Sequence, residues 1–238
     1  MEYKRSVKYE RLYGMIMGPN PLKLAEELLE NRGLDEDMVI CDLGSGTGLT
    51  SLFIHKEYGP KVYATDLWSN SEENNEFFRR EGVENGEVTA VKADATSLDF
   101  PKEFFDGMTC IDSWNYFGRD KAFLDDKISP FIKKGGRIYL AITAMEEDFK
   151  GNYPECLLLS WTKEQLEYIK DLGYWKDVLS SAKDFELLEC RKMETDDKAW
   201  DDWLKQENEY AVGDRKSMEN GAGKYLCFIM AVLEKRRQ

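Results

Sequence analysis

Short apolar runs alternate with longer segments of helical periodicity along the first 143 residues of the chain. The runs have the length of buried strands and end in turn residues or in an acid, and the segments between them have the apolar spacing of helices. Strands separated by helices predict parallel βαβ units with right-handed crossovers. The predicted strands are 38–43, 61–66, 87–93, 105–112 and 137–143, and the predicted helices between them are 50–57, 71–81 and 121–131.

The pattern changes after this point. Residues 144–160 are irregular, and residues 163–172 return to the spacing of a helix. Two further strands are predicted at 185–193 and 225–233, separated by a helix at about 198–210. Because no apolar helix of βαβ length joins them, these two strands could pair antiparallel at one edge of the sheet. The whole pattern predicts an α/β fold with a doubly wound, mostly parallel seven-stranded sheet and an antiparallel edge strand.

The N-terminal region combines an amphipathic helix with an aromatic arm. Residues 21–29 have apolar positions at helical spacing with Pro21 in the first turn, which predicts a helix packed on the sheet. The arm ahead of this helix is unusually rich in aromatic and sulfur-containing side chains, which are Tyr3, Tyr9, Tyr13, Met15 and Met17.

Charge and hydropathy exclude several classes of partner. The formal net charge is −13, and nucleic-acid binding depends on lysine and arginine contacts with phosphates, so we expect no nucleic-acid partner. No apolar run approaches the roughly eighteen residues that cross a bilayer, and residues 1–13 do not have the pattern of a secretory signal. We therefore expect a cytoplasmic protein with no membrane partner.

The five cysteines form no close pair in the sequence, which argues against both a disulfide framework and a zinc cluster. We expect reduced thiols and no bound metal. The cysteines are Cys41, Cys110, Cys156, Cys190 and Cys227.

A glycine-rich turn follows the first predicted strand. The strand ends at the acid Asp42, and glycines occupy alternate positions at Gly44, Gly46 and Gly48. Glycines permit a sharp turn and close approach of a ligand to the backbone, at the strand ends where doubly wound sheets bind ligands. A dinucleotide fingerprint would have a third glycine where Leu49 stands, which disfavours NAD. A carboxylate beside phosphates is repelled, whereas the amino group of an amino acid is attracted to it.

These residues resemble the first motif of the class I, seven-stranded S-adenosylmethionine-dependent methyltransferases. Three later segments are similar to further motifs of the family in the same order. Asp66 stands where the family binds the ribose, Asp94 where it contacts the adenine amino group, and residues 111–116 where the fourth strand meets cofactor and acceptor. The resemblance covers residues 38–143.

The resemblance implies S-adenosylmethionine as cofactor and S-adenosylhomocysteine as product. An acid at a strand end can instead cap the next helix, and Leu67 can instead pack in the core. The cofactor-binding residues implied by the resemblance are Asp42, Gly44, Ser45, Gly46, Thr47, Asp66, Leu67, Asp94, Ala95, Asp112 and Met17.

The same resemblance implies that the N-terminal arm is a helical lid over cofactor and substrate, since related small-molecule methyltransferases fold an arm in this way. The alternative is an ordinary helix that packs through its tyrosines and methionines. The substrate contacts expected on this basis are Tyr9, Tyr13, Trp114, Tyr116 and Tyr153, and the residues expected to carry the chemistry are Asp112, Asn115 and Tyr116.

Motifs that the sequence lacks restrict the class of methyl acceptor. Residues 112–115 do not form the Asn-Pro-Pro-Tyr-type motif of enzymes that methylate bases or glutamine amides, and His55, the single histidine, falls in a helix away from the ligand end. The chain looks most similar to the small-molecule group that includes amine methyltransferases and enzymes like cyclopropane-fatty-acid synthase. An amine is the preferred acceptor, although the acids of 198–209 are more simply a solvated helix face.

The sequence therefore predicts one methyltransferase domain over 1–238, a monomer or homodimer, that methylates a small molecule by in-line displacement. The alternatives are a catalytically silent protein that binds the cofactor or a partner, and an NAD-dependent oxidoreductase. The expected parts are a lid and helix at 1–30, a cofactor-binding core at 38–143, a substrate-side insertion at 144–184, and strands and a helix at 185–238.

Overall fold

A computed structural model describes residues 3–237. Within these residues, eight strands form a single sheet in the order β3-β2-β1-β4-β5-β8-β7, and the short β6 pairs with β5 beside this path. Strand β8 runs antiparallel to both of its neighbours, and every other pairing in the sheet is parallel. The strands are β1 Val39–Leu43, β2 Lys61–Asp66, β3 Val88–Lys92, β4 Phe105–Ile111, β5 Ile132–Met145, β6 Lys170–Asp171, β7 Phe185–Lys192 and β8 Leu226–Lys235.

The helices follow the strands on both faces of the sheet. A 3₁₀ helix over Ser6–Met15 precedes them and forms the N-terminal arm. The α-helices are α1 Pro21–Leu29, α2 Leu49–Tyr58, α3 Ser71–Arg80, α4 Trp114–Phe117, α5 Lys163–Leu166, α6 Leu172–Ser180, α7 Asp196–Trp203 and α8 Glu209–Glu219.

The doubly wound arrangement predicted from the sequence is confirmed by the two apolar clusters on either side of the sheet. Along β5, Ile138 and Leu140 face one cluster, while Tyr139 and Ala141 face the other. A strand buried on both faces reads as a continuous apolar run, which is why periodicity located it. The predicted antiparallel pairing is also confirmed, and β8 lies one position in from the edge strand β7.

Three predicted helices differ from the observed ones. Residues 121–131 form a π turn at Leu124–Ile128 and a 3₁₀ turn at Ser129–Phe131, because Pro130 cannot donate an α-helical hydrogen bond. The predicted helix 163–172 is α5, the short β6 and the start of α6, which Asp171 caps by accepting a hydrogen bond from the Tyr174 amide.

The predicted helix 198–210 ends early, at Trp203, and a further helix that the sequence did not predict follows it. Asn208 starts α8 by accepting a hydrogen bond from the Ala211 amide at 3.0 Å. Because the chain breaks between α7 and α8, two separate helices contribute side chains to the same cavity.

No helix within the described part of the chain is both long enough and apolar enough to cross a membrane.

Candidate active site

The glycine loop folds back on the end of β2. The amides of Gly44 and Ser45 both donate to the Thr65 carbonyl, at 2.8 and 3.0 Å. Gly44 and Gly46 have φ angles of +75° and +53°, in the left-handed region that glycine adopts without strain. These hydrogen bonds and φ angles keep the loop between β1 and α2 turned back along the edge of the sheet where β1 and β2 end.

Asp42 holds this loop from beneath instead of lining the cleft. Its buried carboxylate accepts hydrogen bonds from the hydroxyls of Thr50 and Ser51, both at 2.6 Å, and from Thr109 at 2.9 Å. Burial raises the pKa of Asp42, and the three hydroxyl donors oppose that shift. Asp42 is 1% exposed and its three hydrogen bonds come from α2 and β4, so the structure does not bring it into the cleft, where a direct contact with a ligand was expected.

Asp66 ends β2 and joins the loop to the next turn. Its carboxylate accepts the Gly46 amide at 3.0 Å and the amides of Trp68 and Ser69, both at 2.8 Å. A carboxylate accepts about four hydrogen bonds, so these contacts leave room for a further donor on the oxygen that faces Gly46.

Asp94 follows β3 on the same edge of the sheet. One of its oxygens accepts hydrogen bonds from the Thr96 amide and hydroxyl, at 2.8 and 2.7 Å. The Thr96 amide, and then its hydroxyl, lower the pKa of Asp94, so this carboxyl is charged at neutral pH. Two acids at neighbouring strand ends are thus brought to one cleft, as predicted from the sequence.

The first cavity, of about 510 Å³, lies between the ends of β1, β2 and β3. Its walls are mostly apolar, apart from Asp66 and Asp94, and the exposed Leu67 and Trp68 stand at its margin. The remaining lining residues are Leu43, Gly44, Thr65, Ala93, Ala95, Thr96, Ser113, Tyr116 and Phe117.

The second cavity, of about 230 Å³, lies between the glycine loop and the end of the N-terminal arm. Gly46 approaches Met17 so closely that a Cβ at this position would lie 3.2 Å from the methionine sulfur. Thr47 fixes the arm by donating its hydroxyl to the Met15 carbonyl at 3.2 Å. Ser45 also lines this cavity, and its buried hydroxyl has no hydrogen-bond partner among the described residues.

Asp112 lies where β4 ends and has a φ of +58°, an uncommon angle for a residue other than glycine. Its carboxylate accepts a hydrogen bond from the Thr143 hydroxyl. Gly18 of the arm leaves no room for a side chain here, because a Cβ on it would lie 2.5 Å from an Asp112 oxygen. Burial raises the pKa of Asp112 to about 7, the charge of Asp214 adds to that shift, and the Thr143 hydroxyl opposes it.

This shifted pKa predicts a pH-dependent contribution to stability. Between about pH 4 and 7 the folded state retains a proton on Asp112 that the unfolded state releases, so the free energy of unfolding falls as pH rises. We expect Asp112→Asn to reduce this fall by on the order of 2 kcal/mol, less than the full shift because Asp112 is partly solvated. Urea unfolding of both proteins at the two ends of this range measures the difference.

Asp196, whose pKa burial also raises to about 7, is present in both proteins and cancels in this comparison. Equal pH slopes for the wild type and the variant would contradict the assignment to Asp112.

The third cavity, of about 760 Å³, opens on the other side of Asp112 and Tyr116. Helices α7 and α8 form its far wall, and Met17 and Gly18 of the arm form its near edge. Its aromatic lining consists of Tyr116, Trp161, Tyr168, Trp200, Trp203 and Tyr210. Tyr116 lines all three cavities, which therefore adjoin one another and are together called the cleft.

Asp214 of α8 lies within this aromatic wall. Its carboxylate accepts a hydrogen bond from the Trp203 indole at 2.8 Å. Burial raises the pKa of Asp214, and hydrogen bonds from Trp203 and Trp161 oppose the shift. Asp214, Trp200 and Trp203 were not among the predicted site residues, because the acids around the two tryptophans suggested a solvated helix face. Two tryptophans three residues apart share one face of a helix, which is the signal that indicated a buried wall.

Two tyrosines of the N-terminal arm are not brought to the cleft. Tyr9 donates its hydroxyl to Glu57 at 3.0 Å and packs edge-on against Phe53. Tyr13 donates to the Ser6 carbonyl at 3.2 Å and packs on the core beneath the arm. The tyrosines therefore anchor the arm to the core, and the residues that reach the cleft are those that follow them, Met15 to Pro19.

Trp114 and Tyr153 also lie outside the cleft. Trp114 is fully buried against Phe117 and Phe123, because it begins the short helix that turns back under β4. Tyr153 lines a separate small cavity and donates its hydroxyl to Glu167 at 2.9 Å. Of the substrate contacts expected from the sequence, only Tyr116 lies in the cleft, together with the predicted catalytic residues Asp112 and Asn115.

A protein-family model described as a methyltransferase domain matches residues 41–140, the segment that carries the glycine loop and the strand-end acids. Residues 41–140 are therefore similar to a methyltransferase domain. The predicted resemblance to class I methyltransferases is thereby confirmed for this segment. No curated protein sequence matches the chain significantly.

Solved structures are similar in fold to this segment together with its flanks. Geranyl diphosphate C-methyltransferase from Streptomyces coelicolor A3(2) is 15% identical, with a TM-score of 0.70 over 89% of this chain and 76% of that one. Phosphoethanolamine N-methyltransferase 2 from Haemonchus contortus is 16% identical, with a TM-score of 0.72 over 98% and 57%. The cyclase SpnF is 13% identical, with a TM-score of 0.69 over 91% and 81%. At these identities the likeness shows the fold alone.

Proposed function

We propose that the chain transfers a methyl group from S-adenosylmethionine to a small-molecule acceptor. The observation that carries this proposal is the set of adjoining cavities, of which two fit the two ends of the cofactor and a third, larger one shares Tyr116 with both and Asp112 with the second. In-line displacement needs the acceptor and the leaving group on opposite sides of the transferred carbon, and adjoining cavities supply a binding space for each.

The first cavity fits an adenosyl group. The remaining acceptor capacity of Asp66 suits the ribose hydroxyls, and the Asp94 carboxylate suits the adenine amino group. The apolar walls, with Leu67 and Ala95 among them, suit the faces of a base. A carboxylate at each of these two places also disfavours a pyrophosphate, which both acids would repel.

The second cavity fits an amino-acid end. The unpartnered Ser45 hydroxyl and the open backbone of Gly44 and Gly46 provide polar groups for a carboxylate or an amine. Met17 and Gly18 close this cavity against Asp112. In this proposal Asp42 acts indirectly, because it positions the loop through the first turn of α2.

When bound, the cofactor supplies a methyl group on a positively charged sulfur. The protein then has to align an acceptor, exclude water and hold any proton that the acceptor loses. Met17 and Gly18 line both the second and the third cavity, and Asn115 and Tyr116 line the space proposed for the acceptor. Asp112 is the group placed to take a proton near neutral pH, since its carboxyl titrates in that range.

We propose further that the protein acts in the cytoplasm, as a monomer or homodimer, and does not act on nucleic acid. The net charge of −13 supports the last point, because it opposes binding to a phosphate backbone. The five cysteines are all unpaired, which fits a reducing compartment.

Calorimetry with S-adenosylhomocysteine tests the proposed cofactor. We expect saturable binding with one site per chain, and no binding of NADH followed by its fluorescence under the same conditions. Binding of NADH without binding of S-adenosylhomocysteine would replace this proposal with the oxidoreductase alternative. Binding of S-adenosylhomocysteine without methyl transfer to any acceptor would favour a catalytically silent protein, since a fold does not by itself determine a function.

A further inference from the structure

The third cavity carries charge of one sign only. Three carboxylates line it, those of Asp112, Glu209 and Asp214, and no lysine or arginine stands among its described lining residues. Arg119 packs on its wall, with its guanidinium 4.2 Å from the centre of the Tyr168 ring, but does not line the cavity. An anionic acceptor would therefore meet no lining residue of opposite charge in this cavity, whereas a cationic acceptor would meet three carboxyl groups.

The carboxylate of Asp214 is held in an aromatic setting. The Trp203 indole donates to it at 2.8 Å, and the Trp161 indole donates as well. Trp203 is almost completely buried, at 2% exposed. A carboxylate in such surroundings is costly unless a cation approaches it, and the faces of indole rings attract cations in addition.

Two residues that line this cavity carry buried polar atoms without a partner. Asn115 is 3% exposed, and its side-chain oxygen accepts no hydrogen bond from any described residue. The indole nitrogen of Trp200, a residue 7% exposed, likewise has no acceptor. Since buried polar groups are normally paired, a ligand that offers a hydrogen-bond donor and an acceptor would satisfy both atoms.

We propose that the third cavity binds a small amine as methyl acceptor, with its ammonium group between the carboxylates of Asp112 and Asp214 and among the indole rings. This inference rests on the proposed methyltransferase function and names its substrate class. Asp112 and Asp214 both line this cavity, so a cation bound in it has both carboxylates in its surroundings.

The transfer then balances without a further reactant. The ammonium gives one proton to the Asp112 carboxylate, which frees a lone pair on nitrogen. That lone pair forms the new nitrogen–carbon bond while the carbon–sulfur bond breaks and its electron pair stays on sulfur. The products are a methylated ammonium and a neutral thioether, and the proton on Asp112 leaves to solvent when the cleft opens.

Paired probes of equal shape and different charge test this inference on the full-length protein. Choline and 3,3-dimethylbutan-1-ol share a hydroxyl and a group of the same size, and only choline is positively charged. Their dissociation constants are measured by calorimetry, with and without S-adenosylhomocysteine. We expect choline to bind at least about tenfold more tightly than the alcohol, a factor typical of a cation held by aromatic rings and a carboxylate.

The variant Asp214→Asn tests whether the Asp214 carboxylate recognises the positive charge of choline. It should weaken choline binding about tenfold and leave binding of the neutral alcohol within about twofold. Asp201→Asn is the matched control, because it removes the same charge from an exposed position of α7 and should change neither affinity. Circular dichroism checks that both variants fold.

Equal binding of the two probes by the wild-type protein would overturn the inference, whether or not the Asp214 variant folds. Equal weakening of both probes in a folded Asp214→Asn protein would also overturn it. The titration with S-adenosylhomocysteine distinguishes a failure of the amine proposal from a failure of the methyltransferase proposal. Binding of S-adenosylhomocysteine without charge discrimination leaves the proposed methyltransferase standing and removes the amine, whereas charge discrimination without binding of S-adenosylhomocysteine removes the cofactor.

Discussion

The variant Asp66→Ala should bind S-adenosylhomocysteine at least about 100-fold more weakly than the wild type. A hydrogen bond from a ribose hydroxyl to a charged carboxylate is worth up to about 3 kcal/mol, which corresponds to this factor. The variant also releases the Gly46, Trp68 and Ser69 amides, so the loop that forms the edge of both cofactor cavities loses its anchor.

Calorimetry measures this effect, and Asp99→Ala provides the control, since Asp99 is an exposed acid outside the lining of all three cavities. The control should bind as the wild type does. If Asp66→Ala retained wild-type affinity, Asp66 would be a loop anchor only, and the ribose would have to bind elsewhere.

The second large effect is expected for Gly44→Ala. At a φ of +75° an alanine is strained, and its Cβ would lie 2.8 Å from the Ser113 Cβ and closer still to the Ser113 hydroxyl. The strain costs about 1–2 kcal/mol and the steric overlap a further 1–3 kcal/mol, so we expect a loss of about 3 kcal/mol in the free energy of unfolding. Binding of S-adenosylhomocysteine should fall as well, because relief of the overlap moves the loop or the end of β4.

Gly33→Ala separates strain from overlap. Gly33 has nearly the same φ, +74°, and a Cβ there would meet nothing within 4 Å. Urea unfolding of both variants should show the strain in each and the additional loss only in Gly44→Ala. Equal losses in the two variants would mean that the contact between Gly44 and Ser113 does not constrain the loop.

The cofactor half of the site could be predicted because it depends on local signals. Parallel strands end at a common edge, so an acid at the end of each strand is brought to one cleft wherever the strands are correctly identified. Asp66 and Asp94 follow this rule, and the glycines of the loop have positive φ angles that few other residues adopt. Asp42 was expected to contact the ligand, but it lies beneath the loop. Its carboxylate accepts hydrogen bonds from hydroxyls of α2 and β4, and the sequence does not identify these hydroxyls as its donors.

The acceptor half could not be predicted because it is formed by contacts between distant residues. The hydrogen bond between Trp203 and Asp214 joins two helices, and it exists only because Asn208 breaks the segment between them. Similarly, the aromatic arm has the composition of a lid, but the Glu57 carboxylate and the Phe53 ring hold Tyr9 on the core. Which face of a helix meets a cavity depends on packing that periodicity does not specify.

A crystal structure of the full-length protein with S-adenosylhomocysteine tests the central claim most directly. We expect the adenosine in the first cavity with its ribose hydroxyls on Asp66, the amino-acid end in the second cavity beside Ser45, and the sulfur directed past Tyr116 toward the third cavity. A complex in which the ligand lies outside these cavities, or in which its sulfur points away from the third cavity, would contradict methyl transfer at this site.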